Sequence, residues 1–145
     1  MNLQKDKILI IGGYGNVGTV ISKILAEKLP AKIIIAGRSK AKGQKLIDEL
    51  NLKAKAIQLD LNKKEDFKEI YFEEIHTVIN CVEFLGNDSL IQKCAQFKTN
   101  YTELATSFEA YNRLLKFDLE FKNAGSCLIP GVGLMPGLSG IFVQN

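Results

Sequence analysis

Three glycines near the N-terminus, Gly13, Gly15 and Gly18, stand in G-x-G-x-x-G register. Residues of that type at that spacing suit an anion held by main chain. Gly13 permits a tight turn out of a strand, Gly15 has no side chain to keep a diphosphate off the backbone, and Gly18 lets the next helix pack close to the strand. A helix starting here points its unpaired N–H groups and positive dipole end at the same anion. Tyr14, Asn16 and Val17 fill the intervening positions and join the glycines as candidate nucleotide contacts. The spacing alone is weak support; its flanks strengthen it. Ile8 to Ile11 reads as an apolar strand. Val17, Val20, Ile21, Ile24 and Leu25 recur at helical spacing, which predicts a helix that buries this stripe and leaves Lys23, Glu27 and Lys28 in water. Pro30 after Leu29 ends it. Strand, glycine turn and helix together make the opening unit of a dinucleotide-binding fold.

Which dinucleotide is decided at the end of the second strand, expected over Lys32 to Ala36. A domain selective for NAD places Asp or Glu about 20 residues past the glycine loop, where it accepts hydrogen bonds from the ribose 2′-hydroxyl. Here no acid stands between Glu27 and Asp48; Arg38 takes the place, followed by Ser39, Lys40 and Lys42. A guanidinium fork matches a phosphate dianion that a carboxylate would repel. Arg38 and Ser39 are therefore the expected 2′-phosphate contacts, and NADP(H) is expected over NAD(H). Without a ligand, Arg38 reads as a solvated loop charge.

The scaffold that gathers these residues follows from alternation of strand and helix patterns along the chain, which predicts an α/β fold with a parallel sheet covered by helices on both faces. Ser39 can cap a second helix to about Leu50 with Leu46, Ile47 and Leu50 inward, weakened by Gly43. Lys55 to Leu59 is the third strand. Asn62 is expected to cap a third helix with Glu65 as its capping-box partner and Phe67, Ile70 and Tyr71 as its apolar face. Thr77 to Val82 is the fourth strand, apolar enough to be central. A fourth helix starts at Asp88 or Ser89 and buries Leu90, Ile91, Cys94 and Phe97. Asn100 to Leu104 is a fifth strand. Ser107 caps the longest helix, with Phe108, Tyr111, Leu115 and Leu119 along one stripe and Gly125 as its left-handed cap. Ser126 to Ile129 is the sixth strand. Six strands of this kind make a doubly wound Rossmann sheet in the order 3-2-1-4-5-6, with the cofactor across the carboxyl ends of strands 1 to 4.

That placement nominates further residues. Asp60 and Leu61 fall at the adenine edge, where Asp60 reads equally well as a helix cap. Cys81, Val82 and Glu83 follow the fourth strand beside the nicotinamide ribose. There, the backbone groups are better candidates than the side chains, and Glu83 is a weak candidate for a general acid or base. Other chemistries find little support. No tyrosine has a lysine four residues on, which excludes a short-chain dehydrogenase mechanism within this chain. A methyltransferase typically wants an acid where Arg38 stands. His76, the single histidine, is expected at the amino end of a strand, away from any chemistry. There is no Ser-His-Asp set and no metal-ligand cluster.

The chain of 145 residues fits one domain, with 46% hydrophobic and 24% charged residues and a net charge of +3. That small, spread charge does not suggest nucleic acid or a membrane surface, and no apolar run approaches the roughly 20 residues of a membrane helix. Three widely spaced cysteines, Cys81, Cys94 and Cys127, argue against a disulfide framework or zinc site and for a reduced, cytoplasmic setting.

Four segments together, GGYGNVG, AGRS, CAQFKTNYTELAT and AGSCLIPGVGLMPGLSGIF, resemble the saccharopine dehydrogenase-like family, from Ile8 to Phe142. The resemblance implies a pyridine-nucleotide oxidoreductase and a cofactor role for Gly13, Gly15, Gly18 and Arg38. Members include saccharopine dehydrogenases or reductases, related polyamine-forming enzymes and lipid enoyl reductases. Two departures stand out: Val82-Glu83-Phe84 replaces a Gly-Pro-Phe-like turn, and Tyr101 to Leu104, YTEL, stands where the family often has Tyr-x-Asp. Members of the family also carry a substrate domain after PGVG. Residues 1–130 are thus expected to be the nucleotide-binding domain and 131–145 the start of a connection onward. The chain then reads as a piece cut from a longer enzyme, a split subunit or a stand-alone binder. Hydride transfer to or from an imine or amine, carbonyl or alkene would need a small-molecule substrate held outside this chain. The alternative is a non-catalytic NADP(H)-sensing or interaction module. Leu134, Met135, Leu138, Ile141, Phe142 and Val143 make an apolar tail expected to pack on a second copy or on the missing domain.

Overall fold

Hydrophobic residues on both faces of a strand require cover on both sides, and β1 (Lys7–Ile11) shows the consequence. Its Leu9 and Ile11 belong to one core, and Ile10, with Ile8 packed beside it, belongs to another. The structure is a computed structural model and describes residues 5–63, 66–67, 70, 72–82, 88–104 and 107–133. Around β1 lie β2 (Ile33–Gly37), β3 (Ala54–Gln58), β4 (Ile75–Asn80), β5 (Asn100–Glu103) and β6 (Leu128–Pro130). They form one six-stranded sheet in the order β3-β2-β1-β4-β5-β6, every pairing parallel. This is the Rossmann-type order expected from the strand and helix pattern. Strand boundaries differ from the sequence reading by one or two residues.

Helices α1 (Asn16–Lys28) and α2 (Lys40–Glu49) cover one face, where Ile10, Ala26, Ile33, Ile35, Ile47 and Ala56 cluster. Helices α3 (Asp88–Gln96), α4 (Phe108–Leu115) and α5 (Asp118–Ala124) cover the other. There Leu90, Ile91, Leu114 and Phe121 pack with Leu9, Val78 and Tyr101. Ser39 caps α2 by accepting the Lys42 N–H, as expected from its position. Gly43, which by propensity weakens α2, sits where an added Cβ would lie 3.2 Å from the Ala56 Cβ, so its absence lets the helix close onto β3. Leu50, expected inward, is exposed at the helix end.

Three expectations are corrected. The stripe of α1 is rotated: Val17, Val20 and Ile24 are exposed, Val20 by 57%, Ile21 and Leu25 are partly buried against the core, and Gly18, Ser22 and Ala26 are buried. The small residues allow the helix axis to approach the sheet, and the Ser22 hydroxyl is satisfied by donating to the Gly13 carbonyl at 2.9 Å. The single long helix expected after Ser107 is two, α4 and α5. Ser107 does cap the first through the Ala110 N–H, and Gly125 does end the second with φ of 72°. The stripe Phe108, Tyr111, Leu115 and Leu119 faces outward, and Ala110, Leu114, Phe117 and Phe121 are buried in its place. Third, no α-helix lies between β3 and β4 among the described residues. Phe67 and Ile70 are buried there all the same, so the apolar pattern reported burial correctly but not helix. The partners Glu65 and Tyr71 of that expected helix lie outside the described residues.

Candidate functional site

The carboxyl ends of β1, β2, β3 and β4 surround a cleft of about 360 Å³, within the range that small-molecule sites occupy. Its floor is Ile11 and Gly12, where β1 turns toward α1. Gly12 adopts φ of 72°, a left-handed conformation open to glycine at little cost. The turn's special backbone therefore falls on Gly12, one residue before the position the spacing nominated. Gly13 is buried, and a Cβ there would sit 3.0 Å from Ile10 O, Ile35 Cγ2 and Ser22 Oγ. Gly18 is tighter still, its Cβ position only 2.0 Å from Gly12 O. Both glycines serve close packing beneath the loop and are not among the cleft's lining residues.

Gly15 does line the cleft, exposed and extended, as the residue before α1. No side chain caps α1, and no acid stands in its first turn. Backbone N–H groups at a helix start that no side chain satisfies attract an anion, and the helix dipole favours negative charge there. Asn16 and Val17 are exposed at the same helix start but outside the cleft wall.

The second wall comes from β2. Gly37 and Arg38 line the cleft, Arg38 exposed. Ser39 does not line it; its hydroxyl is committed to capping α2 and its N–H donates to Tyr14 Oη at 2.9 Å. Tyr14, which also lines the cleft, thus ties the glycine loop to the end of β2.

The third wall is Leu59, Asp60, Leu61 and Asn62 after β3. Asp60 turns out to cap its own loop: its Oδ1 accepts from the Asn62 backbone and side-chain N–H groups, both at 3.0 Å, while Asp66 Oδ2 accepts the Asp60 N–H. The Asn62 backbone N–H, then its side-chain amide, hold the Asp60 carboxyl below its ordinary value, with Lys63 and Arg38 adding to them against desolvation. Asn62 is therefore capped, not capping, yet Asp60 still faces the cleft.

Cys81 and Val82 after β4 complete the rim. Burial pushes the Cys81 thiol up to about 11, so it is protonated near neutrality and is no thiolate nucleophile. Glu83 lies outside the described residues. Behind the rim lies a buried polar chain that the sequence reading missed in part. Asn80 Oδ1 accepts the Val82 N–H, and its amide donates to Tyr101 Oη and Glu103. Tyr101 Oη donates to Glu103 Oε2 at 2.6 Å, and Arg113 bridges Glu103 to Asp88. Burial first, then the Glu103 carboxylate, raises the Tyr101 phenol well above its ordinary value. The signal was the YTEL segment: Tyr101 and Glu103 stand two apart on a strand, hence on one face. The extra methylene of Glu103 is accommodated by this hydrogen bonding. His76 is exposed on β4, at the far end of the sheet. Among the described residues, no cluster of three His, Cys, Asp or Glu could hold a metal, and no helix is long and apolar enough to cross a membrane.

A glycine turn under a helix start, with an arginine at the next strand end, is the arrangement of a dinucleotide site. The sequence profile of the saccharopine dehydrogenase NADP binding domain matches residues 8–129. The chain belongs to this family. As a saccharopine dehydrogenase NADP-binding domain it is an NADP-binding Rossmann unit. No curated protein is similar enough in sequence to count as a match. Among solved structures, the domain is similar to apo saccharopine dehydrogenase (L-Glu forming) from Saccharomyces cerevisiae, with a TM-score of 0.71 and 19% identity over 95% of this chain. It spans 29% of that enzyme's length. Pen from Bacillus thuringiensis also has a TM-score of 0.71, at 14% identity over 90% of this chain and 50% of its own. The Citrobacter sp. triphenylmethane reductase complexed with NADP(H) has a TM-score of 0.62 at 14% identity, over 86% of this chain and 48% of its own. Likeness at such identities concerns the fold.

Proposed function

We propose that this domain is the cofactor-holding part of an NADP-dependent oxidoreductase whose substrate is held by protein outside residues 1–145. The observation that carries the reading is the cleft itself: bare backbone at Gly12 and Gly15 beneath an uncapped helix start, with Arg38 at the neighbouring strand end. The residues fit the cofactor. Gly15 and the start of α1, through Asn16 and Val17, would hold the diphosphate; Arg38 would meet the 2′-phosphate; Asp60 and Leu61 would flank the adenine; Cys81 and Val82 would border the nicotinamide ribose. When bound, NADP(H) supplies or accepts the hydride. The chain's own part is to bind, orient and select. The domain spans 29% of the yeast enzyme's length, and the family match ends at 129, beside the end of β6. Both support a division at about residue 130, with 131–145 leading into a substrate domain. The apolar tail proposed to pack there, from Leu134 to Val143, lies outside the described residues. The substrate class that fits the family is an imine or amine, a carbonyl or an alkene.

Paired calorimetric titrations with NADP⁺ and NAD⁺ test the cofactor half of this reading. NADP⁺ is expected to bind more tightly. Arg38→Ala is expected to weaken NADP⁺ by about 10- to 100-fold, the weight of hydrogen bonds to a charged group, while changing NAD⁺ by less than about threefold. Equal affinity for the two cofactors in the unmodified chain would remove the assignment. NADPH oxidation by the longer gene product, assayed with imines formed from an amino acid and a keto acid, tests the hydride-transfer half.

A further inference from the structure

We propose that the Tyr14 hydroxyl is a direct ligand of the 2′-phosphate, making Tyr14 a second selector of NADP(H) beside Arg38. This rests on the cofactor reading above and adds a residue to it.

Tyr14 belongs to the glycine loop, but its side chain reaches across to the end of β2. The Oη accepts the Ser39 N–H at 2.9 Å, one residue beyond Arg38. The ring is held in place from beneath. A Cβ on Gly37 would come within 2.6 Å of it, and one on Gly43 would lie 3.6 Å from its Cδ1. Two glycines thus leave the space the ring fills, and Tyr14 forms part of the cleft wall together with Arg38.

The hydrogen bonds at this corner leave the phenol proton of Tyr14 available on the cleft wall. A phenol both accepts and donates. Its oxygen takes the Ser39 N–H, and among the described residues its own proton is donated to none. The Ser39 N–H, which would otherwise be the main-chain donor next to Arg38, is used up by that bond. The Ser39 hydroxyl accepts the Lys42 N–H, and Ser39 is not among the residues that line the cleft. The phenol therefore passes the corner's donor capacity outward: Ser39 N–H to Oη, and Oη–H to an acceptor in the cleft. A chain of this kind polarises the outer O–H and strengthens its donation. Arg38 offers a fork to two phosphate oxygens, and the phenol is placed to meet another. The rival view is that Tyr14 is only a strut between two loops. A strut would matter equally to both cofactors, because each needs the glycine loop and the end of β2.

Titration of the 145-residue chain and its Tyr14→Phe and Arg38→Ala variants with NADP⁺, NAD⁺, adenosine 2′,5′-bisphosphate and 5′-AMP separates the two. Phenylalanine keeps the ring against Gly37 and Gly43 and removes only the hydroxyl. The expected result is about tenfold weaker NADP⁺ and bisphosphate binding, with NAD⁺ and 5′-AMP within twofold of the unmodified chain. Parallel weakening of all four ligands, or none, overturns the proposal. If the unmodified chain shows no preference for NADP⁺, the cofactor reading falls and this one with it. If Arg38→Ala abolishes the preference and Tyr14→Phe leaves it intact, only the Tyr14 assignment falls. Should Tyr14→Phe fail to fold, the unmodified chain still decides. It has no tryptophan, so its intrinsic emission is tyrosine's. The bisphosphate is expected to change that emission more than 5′-AMP does at saturation; equal changes overturn the assignment.

Discussion

At the residue scale, the glycines of the first turn divide their work differently from their spacing. The left-handed backbone is at Gly12, close packing is at Gly13 and Gly18, and of the three glycines in the register only Gly15 lines the cleft, beside Gly12. The register announces the motif because each of these jobs excludes a side chain, but a one-letter pattern does not say for which reason. Gly18→Ala separates packing from ligand contact. Its methyl would lie 2.0 Å from a carbonyl oxygen that cannot swing away, so the variant is expected to lose roughly 3 kcal/mol of stability, read by urea unfolding without any nucleotide. A loss below about 0.5 kcal/mol would mean that the helix and strand are not so tightly apposed. Arg38 was legible because guanidinium chemistry is local to one side chain. Tyr14 was legible as a candidate nucleotide contact by its place in the loop, but its bond to Ser39, 25 positions away, was not.

At the element scale, the stripes expected for α1 and for the helix after Ser107 were rotated or displaced, while that of α3 was not: Leu90, Ile91 and Cys94 are buried as expected. In α1 the apolar residues outnumber what one face can hold, and the sheet selected the face with Gly18, Ser22 and Ala26, which lets the helix axis come closest. In α4 and α5 two apolar stripes run side by side. Leu114 is fully buried whereas the adjacent Leu115 is 45% exposed. Leu114→Ala is therefore expected to cost roughly 2–5 kcal/mol, and Leu115→Ala no more than about 0.5 kcal/mol. Chemical unfolding of the pair measures the difference, and equal costs would contradict the helix orientation. Periodicity counts apolar positions; where a helix has more of them than it buries, only packing decides which set turns inward.

At the scale of the whole molecule, the cleft exists because four strand ends from distant parts of the chain meet on one edge of a parallel sheet. Gly12, Arg38, Asp60 and Val82 are drawn together by the β3-β2-β1-β4 order alone. A ligand that spans them stabilises the native state without touching the unfolded one. NADP⁺ at 100 times its dissociation constant is expected to add about 2.7 kcal/mol and to raise the thermal midpoint by roughly 5–10 °C for a domain of this size, followed by differential scanning fluorimetry. Gly15→Asp places a carboxylate where the diphosphate would rest and is expected to abolish that shift. A full shift in that variant would place the nucleotide elsewhere.

The sequence by itself determined the fold class, the strand order, the glycine turn and the arginine at the next strand end, because each depends on short-range pattern or on the chemistry of one side chain. Tertiary structure alone decided which faces of α1, α4 and α5 are buried, that Asp60 caps its own loop while facing the cleft, and that Asn80, Tyr101, Glu103, Arg113 and Asp88 join in one polar chain behind Val82. Such contacts link residues far apart in the chain, and their partners are chosen by the space left when sheet and helices close on one another.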